Sequence, residues 1–421
     1  MEKKRILVVC EPPLANTGFG TVARAILPAL ARDFEITLHA TGGYGKLDND
    51  SLKEFGVTAY QPTYPEDMHC IKAVDQIINT IRPHGVFSYY DSGSLYEFIN
   101  NSNIGFYPHA TYLVTESAPL MQSWCRMFDD KAYAEGASPI NFTINEIVLA
   151  SNYSNGVCEN QTGRSCPVAY HGADHANWRR LPKEFKRAQR KELAATLGDP
   201  ELENAFIVMY VARNADRKMW PRMLQALKLA QEMAPEIPFR LFAYTKKFDN
   251  FRNEGWMLDT MAAQFGLATK MVLYPTLEDV GGIPFDSDVP SQPTMIKHYN
   301  LADLYCHPSG VEGCGIPILE AARCGLPVLT TRFGAGWEYA QDFAMPIEVK
   351  DFYYHKSGIA HAMIDIEDCA KKIVNFARNK TLWHQYADAG PKRCNYKWAD
   401  LGEAALEAMH RAIEKHPRMI K

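Results

Sequence analysis

Leu304-Tyr305-Cys306-His307-Pro308-Ser309 runs toward Glu312-Gly313-Cys314-Gly315-Ile316-Pro317-Ile318-Leu319-Glu320, and Gly325-Leu326-Pro327 then leads into Val328-Leu329-Thr330-Thr331. The order is strand, glycine turn, helix, strand, which is the repeating unit of a parallel α/β layer. Glycines at 313 and 315 let backbone N–H groups approach an anion closely, and the helix start behind them favours negative charge such as a diphosphate supplies. Glu312 and Glu320 frame this turn. Their spacing is about two helical turns, but Glu312 precedes the helix, so the pair reads as reaching around a ligand and accepting its hydroxyl hydrogens. In a chain with 49 acidic residues two such glutamates alone are a common coincidence; the strand, turn, helix and strand around them give the pair its meaning.

The 421 residues suit two domains of ordinary size, at roughly 150 residues per domain. A hydrophobic fraction of 47% and a charged fraction of 22% are those of a globular chain, and a formal net charge of -4 gives no global sign of a nucleic-acid or membrane partner. Ten cysteines show no Cys-x-x-Cys pairing, and Met1-Glu2-Lys3-Lys4-Arg5 runs straight into a short apolar strand without a leader pattern. Reduced thiols and a cytoplasmic location are the expectation. No apolar run approaches the roughly 18 residues needed to span a bilayer, and no strongly basic amphipathic helix argues for peripheral attachment.

Working outward, short β-branched runs alternate with helical segments in both halves. Strands are predicted at 5–10, 35–40, 85–90, 110–115 and 145–150, with helices at 21–32, 68–81 and 93–101; Val168-Ala169-Tyr170-His171 closes the first half. A basic helical stretch at 183–197 precedes strand 205–211, helix 219–233, strand 239–244, helix 254–265 and strand 270–274. The Gly-, Pro-, Asp- and Ser-rich segment 276–293 predicts a long surface loop. Two successive Rossmann-like domains follow, residues 1–176 and 177–395, with a helical segment over 396–421 that can pack back on the first.

At the start of the second half, Val208-Met209-Tyr210-Val211 leads into Ala212-Arg213-Asn214-Ala215-Asp216-Arg217-Lys218 and a helix with Pro221 in its first turn. Cations at the carboxyl end of a first strand stand where open α/β sheets bind ligands. Arg213 can fork two donors to phosphate oxygens and Lys218 can add a compact charge, although most such clusters are solvated loops. The first half offers Asn16-Thr17-Gly18-Phe19-Gly20-Thr21-Val22-Ala23 entering a helix, where backbone amides can face a phosphate or sugar, or simply make a strand-to-helix turn. Gly18-x-Gly20-x-x-Ala23 also fits a dinucleotide fingerprint, but seven residues separate it from the strand ending at Cys10, and Leu38-His39-Ala40-Thr41-Gly42 offers no carboxylate for a ribose.

Thr17-Gly18-Phe19-Gly20, Tyr170-His171-Gly172-Ala173-Asp174, Arg213 with Lys218, and Glu312 through Glu320 stand in an order that resembles the retaining glycosyltransferases of the fourth sequence family. The likeness spans nearly the whole chain and is most specific over 205–349. It implies an α/β GT-B fold, two facing Rossmann-like domains with a cleft between them. It also implies transfer of a sugar from a nucleoside diphosphate sugar with retention at the anomeric carbon, and family usage favours UDP over GDP. By that resemblance Arg213 and Lys218 would hold the diphosphate, and Glu312 the hydroxyls of the transferred sugar. Glu320 would take the ribose hydroxyls, amides around Gly313, Cys314, Gly315 and Ile316 would hold phosphate and sugar, and Gly18, Phe19 and Gly20 would close from the opposite domain. Where the family often carries a first-domain His near the anomeric centre, Tyr112-Leu113-Val114-Thr115-Glu116-Ser117 places Glu116; it can orient a hydroxyl or steady positive charge, or be a strand-end carboxylate with no chemical duty. His109 and His171 are weaker candidates.

Neither a cofactor nor a metal is expected, since two cations can do electrostatically what a metal does elsewhere. Asp286-Ser287-Asp288 is read as part of the loop rather than as a metal-diphosphate motif. The acceptor is open. A saccharide is the default, Phe87-Ser88-Tyr89-Tyr90 and Trp124 serve as core or stacking platforms, and the basic run Arg179 to Lys191 admits an anionic acceptor such as a modified nucleic-acid base or a phospholipid. Rival readings are an epimerase or phosphorylase of the same architecture, a non-catalytic sugar-nucleotide or nucleic-acid binding module, and an NAD-dependent oxidoreductase. Sequence leaves the oligomeric state undetermined.

Overall fold

The structure is a computed structural model that describes residues 2–15, 17–41, 47–60, 71–116, 118–128, 144–174, 177–245, 255–274, 292–356 and 358–415. The chain divides into two compact units, the first formed by Met1–Gly172, Ser357–Ile359 and Tyr396–Lys421 and the second by Ala173–Lys356 and Ala360–Asn395. Nearly all of the loop expected over 276–293, including Asp286-Ser287-Asp288, lies outside the described residues; Gln292 and Pro293 already open the helix Gln292–Leu301.

In the first unit the strands are β1 Lys4–Cys10, β2 Phe34–Ala40, β3 Val57–Ala59, β4 Gly85–Asp91, β5 His109–Val114 and β6 Glu146–Leu149, paired in the order β3-β2-β1-β4-β5-β6. Every pair is parallel. Parallel strands need crossovers on both faces, which explains why β5 is buried along its whole length and β4 nearly so, rather than alternating in and out. The helix Trp398–Lys415 belongs to this unit. Its small residues Gly402, Ala405, Ala408 and Ala412 are buried, and a Cβ at Gly402 would lie 3.0 Å from that of Ala29, so close helix packing depends on their size. Arg411 fastens it to Glu146 on β6 at 3.0 Å.

The second unit repeats the plan with β7 Phe206–Val211, β8 Phe239–Tyr244, β9 Met271–Tyr274, β10 Leu304–His307, β11 Val328–Thr331 and β12 Met345–Ile347, paired in the order β12-β11-β10-β7-β8-β9. Val208, Leu241, Leu304 and Leu329 from four adjacent strands share one core with the fully buried Trp220 and Leu224 of the helix Trp220–Met233. An antiparallel hairpin follows, β13 Val349–Tyr354 and β14 Ala360–Ile364, which the sequence reading did not foresee.

The basic stretch forms the helix Lys183–Leu197, and its inner cations are structural. Arg190 donates to the carbonyls of Leu301 and Ala205 and to the carboxylate of Asp303, while Lys186 reaches Asp303 at 2.7 Å. Lys183, Arg187 and Lys191 remain exposed. The nine described cysteines are free and buried. Among the described residues no helix is long and apolar enough to cross a membrane.

Two glycines test the packing in opposite directions. A Cβ at Gly390 would lie 2.3 Å from the carbonyl oxygen of Ala322, whereas at Gly156, inside the helix Asn152–Thr162, it meets nothing within 4 Å. Gly390→Ala should therefore destabilise by about 1–3 kcal/mol through overpacking. Gly156→Ala should stabilise by roughly 0.5–1 kcal/mol through backbone entropy. Thermal unfolding midpoints of the two variants would move apart in those directions.

Candidate functional site

The strand order of the second unit decides where its chemistry gathers. β7 and β10 are adjacent and parallel, with Val208 paired to Leu304 and Met209 to Tyr305, so the turns that leave their carboxyl ends lie side by side. One is the cation turn after Val211; the other carries Pro308 through Gly315. Carboxyl ends of parallel strands are the ligand-binding edge of such sheets.

The two turns meet in an ion cluster. Lys218 Nζ donates to Glu312 Oε1, His307 Nε2 lies 2.7 Å from the same oxygen, and Arg217 Nη1 stands 3.7 Å from Oε2. Glu312 and Lys218 are each 7% exposed and His307 2%, so these groups exchange water for one another. Burial alone would raise the Glu312 carboxyl, but Lys218, His307 and Arg217 together hold it well below the usual carboxylate range. Burial also keeps His307 below its ordinary value in spite of Glu312, which leaves the imidazole neutral at pH 7. Tyr305 O–H lies 3.0 Å from His307 Nδ1, and Tyr210 O–H donates to the Lys218 carbonyl at 2.7 Å.

Backbone details hold the turns in register. Gly310 N–H donates to the Arg217 carbonyl at 2.7 Å, and the Gly310 carbonyl accepts from Ala362 N–H of β14 at 2.9 Å. No larger residue fits, since a Cβ at 310 would lie 2.6 Å from Met219 Cε and 2.8 Å from the Ala362 oxygen. Gly315 has φ +81°, in the left-handed region, and caps the helix Ile316–Arg323, whose second residue is Pro317. Glycine is the residue that takes this φ without strain. Glu320 sits on that helix, half-buried, with Tyr299 O–H donating to Oε2 at 2.8 Å. Its carboxyl is pushed up to about 7 by burial, against the opposing pull of the Tyr299 hydrogen bond.

Of the predicted site residues, Lys218 and Glu312 are thus in direct contact, with Gly313, Cys314, Gly315 and Ile316 continuous with them. Arg213 is exposed at the end of β7, its carbonyl accepting from Trp220 Nε1 at 3.1 Å. The guanidinium recorded beside Glu312 is that of Arg217, quoted in the sequence but given no role. His307 and Tyr305 were missed as well. Their signal was strand alternation, which puts residues 305 and 307 on one face of β10, aimed at whatever follows Pro308.

In the first unit the helix Gly18–Ala31 starts at the expected glycines. Its amides are less open than expected: Thr17 is the N-cap and its Oγ1 accepts from Gly20 N–H at 2.9 Å, while Thr21 N–H goes to the Thr17 carbonyl. Gly20 is needed for close approach, since a Cβ there would lie 2.3 Å from the Ala15 oxygen. Phe19 packs its ring against Tyr89 at 4.9 Å, and Tyr89 against Tyr112 at 5.5 Å. Glu116 follows the end of β5, partly exposed. His109 bonds Ser88 at 2.8 Å and His171 stacks on Trp398 at 6.0 Å; burial drives both imidazoles down to about 3. A cleft of about 270 Å³ between Gln341–Ala344 and Gln385–Arg393 holds none of these residues.

Residues 287–393, which span the glycine turn and both framing glutamates, match the family model described as Glycosyl transferases group 1. The second unit therefore carries a group 1 glycosyltransferase domain, and the two Rossmann-like units together make the fold GT-B. Among solved structures the chain is similar to HepE of Anabaena in complex with UDP-glucose, at 15% identity and TM-score 0.67 over 97% of this chain and 99% of that one. It is similar to sucrose-phosphate synthase of Thermosynechococcus elongatus at 13% identity, TM-score 0.64, over 98% and 99%. WaaG, a glycosyltransferase involved in lipopolysaccharide biosynthesis, aligns at 14% identity and TM-score 0.62 over 95% and 98%. No curated protein matches the chain by sequence.

The two framing glutamates titrate in opposite senses. Glu320, raised to about 7, takes up a proton on folding, so its effect on stability is absent below its unfolded value near 4.5 and becomes unfavourable as pH rises through 7. Glu312, held low, contributes stability above its unfolded value that is lost as pH falls through its folded one. Glu320→Gln should therefore raise the unfolding midpoint at pH 8 relative to wild type and lose that advantage by pH 4.5. A midpoint difference that does not change with pH would contradict the assignment.

Proposed function

We propose that this chain is a glycosyltransferase that moves a sugar from a nucleoside diphosphate sugar to a hydroxyl acceptor, with retention at the anomeric carbon and without a metal. The observation that carries this reading is the buried contact of Lys218 with Glu312 at the head of a glycine turn, inside the segment matched by the group 1 model. Cation and carboxylate held side by side fit a ligand with a diphosphate next to hydroxyls.

In this reading Lys218, oriented by Glu312, adds a compact positive charge for the departing diphosphate. Arg213 adds a forked guanidinium at the same strand edge. Charges fixed before the reaction need no reorganisation as the phosphate leaves, which is where such groups are most effective. Glu312 accepts hydroxyl hydrogens of the transferred sugar, Glu320 those of the ribose, and amides from Gly313 to Ile316 serve phosphate and sugar. With the leaving phosphate assisting same-face attack, no side-chain nucleophile is required. Glu116 is kept as a carboxylate on the acceptor side. UDP is taken ahead of GDP because HepE, a similar structure, is described with UDP and with UDP-glucose. A saccharide acceptor and a cytoplasmic location complete the proposal; within the run Arg179 to Lys191, exposed cations such as Arg179, Lys183, Arg187 and Lys191 serve the anionic alternative.

A thermal-shift screen of UDP-, GDP- and ADP-sugars tests the donor. A ligand at a hundred times its dissociation constant stabilises by about 2.7 kcal/mol, and the UDP-sugars are expected to give the largest shift. Nucleotide release with the best donor should then fall about 10²–10³-fold in Lys218→Ala, the range for loss of one group that stabilises developing charge. Glu312→Gln should lower it too, with the unliganded unfolding midpoint as a control for folding. Absence of any shift, or conversion of the donor to an epimer without transfer, would overturn the proposal.

A further inference from the structure

Glu312 is engaged unevenly. Lys218 Nζ and His307 Nε2 converge on Oε1, whereas the neighbour recorded at Oε2 is Arg217 Nη1 at 3.7 Å, beyond good hydrogen-bonding distance. A carboxylate has no hydrogen to give, so His307 must donate from Nε2, and the neutral ring then accepts at Nδ1. Tyr305 meets that need. Its single O–H hydrogen has two acceptors within reach, the Val211 carbonyl at 3.3 Å and His307 Nδ1 at 3.0 Å, and the shorter is the one that fixes the tautomer. The stem of Glu312 is confined too, since a Cβ at Gly336 would come within 3.1 Å of Glu312 Cβ and 3.4 Å of its Cγ.

We propose that His307 is a positioning residue for sugar recognition: held by Tyr305, it anchors Oε1 of Glu312 together with Lys218 and so presents Oε2 to a hydroxyl of the transferred sugar. This rests on the glycosyltransferase reading of the same site. Rotating the carboxylate would break two hydrogen bonds to Oε1, so the oxygen that meets the sugar is chosen before the sugar arrives. Tyr305 and Gly336 act through this anchor, the first by fixing the ring and the second by leaving room for the stem.

Two measurements test it. In protein labelled with ¹⁵N-histidine, the His307 ring should show the neutral Nε2–H form between pH 7 and 8; an Nδ1–H ring or an imidazolium there would overturn the proposal. Dissociation constants for UDP and for UDP-glucose form the second arm. His307→Leu should weaken UDP-glucose about tenfold or more, the loss of one hydrogen bond to a charged group, and UDP less than about twofold. His307→Gln keeps an N–H at similar reach and should recover most of the loss, and Gly336→Ala, which displaces Glu312 from its other side, should reproduce the selective defect. Equal weakening of both ligands in His307→Leu, with Gln no better than Leu, would assign His307 to folding alone. If wild type binds neither UDP nor UDP-glucose, the donor reading fails and the positioning role falls with it.

Discussion

A lysine and a glutamate brought out of water against each other set the terms for everything around them. Desolvating such a pair costs several kcal/mol per ion, and the mutual attraction offsets this only when the remaining hydrogen-bonding capacity is also met. At Glu312 His307 meets part of it with a second hydrogen bond to Oε1, and the charge of Arg217 stands 3.7 Å from Oε2. Removing one partner from a buried pair is destabilising by about 3–5 kcal/mol in general, so the local backbone has little freedom to drift. The neighbouring contacts show that constraint. Tyr210 grips the Lys218 carbonyl, Gly310 and Ser309 both donate to the Arg217 carbonyl, and β14 bonds back to Gly310.

That cluster could form only because β7 and β10 are neighbours in the sheet. Ninety-odd residues separate Lys218 from Glu312 in the chain, and the crossover connections of a parallel sheet are what return the chain to the same edge. Val208, Leu241, Leu304 and Leu329 make one apolar core across four adjacent strands, and the ion cluster lies beyond it at the carboxyl ends where turns begin. There, the electrostatic balance is struck before any ligand is present. Under the proposed function an anionic ligand would meet cations already oriented by Glu312, and its hydroxyls a carboxylate already fixed by cations.

Much of this was legible because parallel strands buried on both faces are short apolar runs bounded by turn residues. The runs at 5–10, 85–90, 205–211 and 239–244 announced themselves, and so did the helix at 183–197. Within the candidate site, Glu312, Lys218 and the glycines at 313 and 315 stood out because each follows an apolar run that reads as a strand and leads into a helix. What could not be read is pairing. Nothing local says that β10 lies beside β7, so the contact of His307 with Glu312 and the nearness of Arg217 were invisible, although both residues stood in quoted segments. The inner cations of the helix Lys183–Leu197 looked like a solvated face because Asp303, their partner, lies more than a hundred residues away. Thr17 capping Gly20 was a local signal that could have been used, since Thr followed three residues later by a helical N–H is an ordinary N-cap geometry.

Glu312 and Glu320 frame one turn, yet their surroundings drive them apart. Glu312 precedes the helix and is met by cations, whereas Glu320 lies near the carboxyl end of the helix Ile316–Arg323 and is met by a phenol. A neutral donor offers an anion less than an ammonium does, and the carboxyl end of a helix disfavours negative charge. Burial therefore wins at Glu320 and loses at Glu312. One glutamate is thus held as an anion, while burial favours the protonated form of the other, which can give a hydrogen as well as accept one. Under the proposed function two such carboxyls would suit two kinds of hydroxyl contact: a hard, oriented acceptor beside the cations, and a softer partner farther along that would add less negative charge beside a diphosphate.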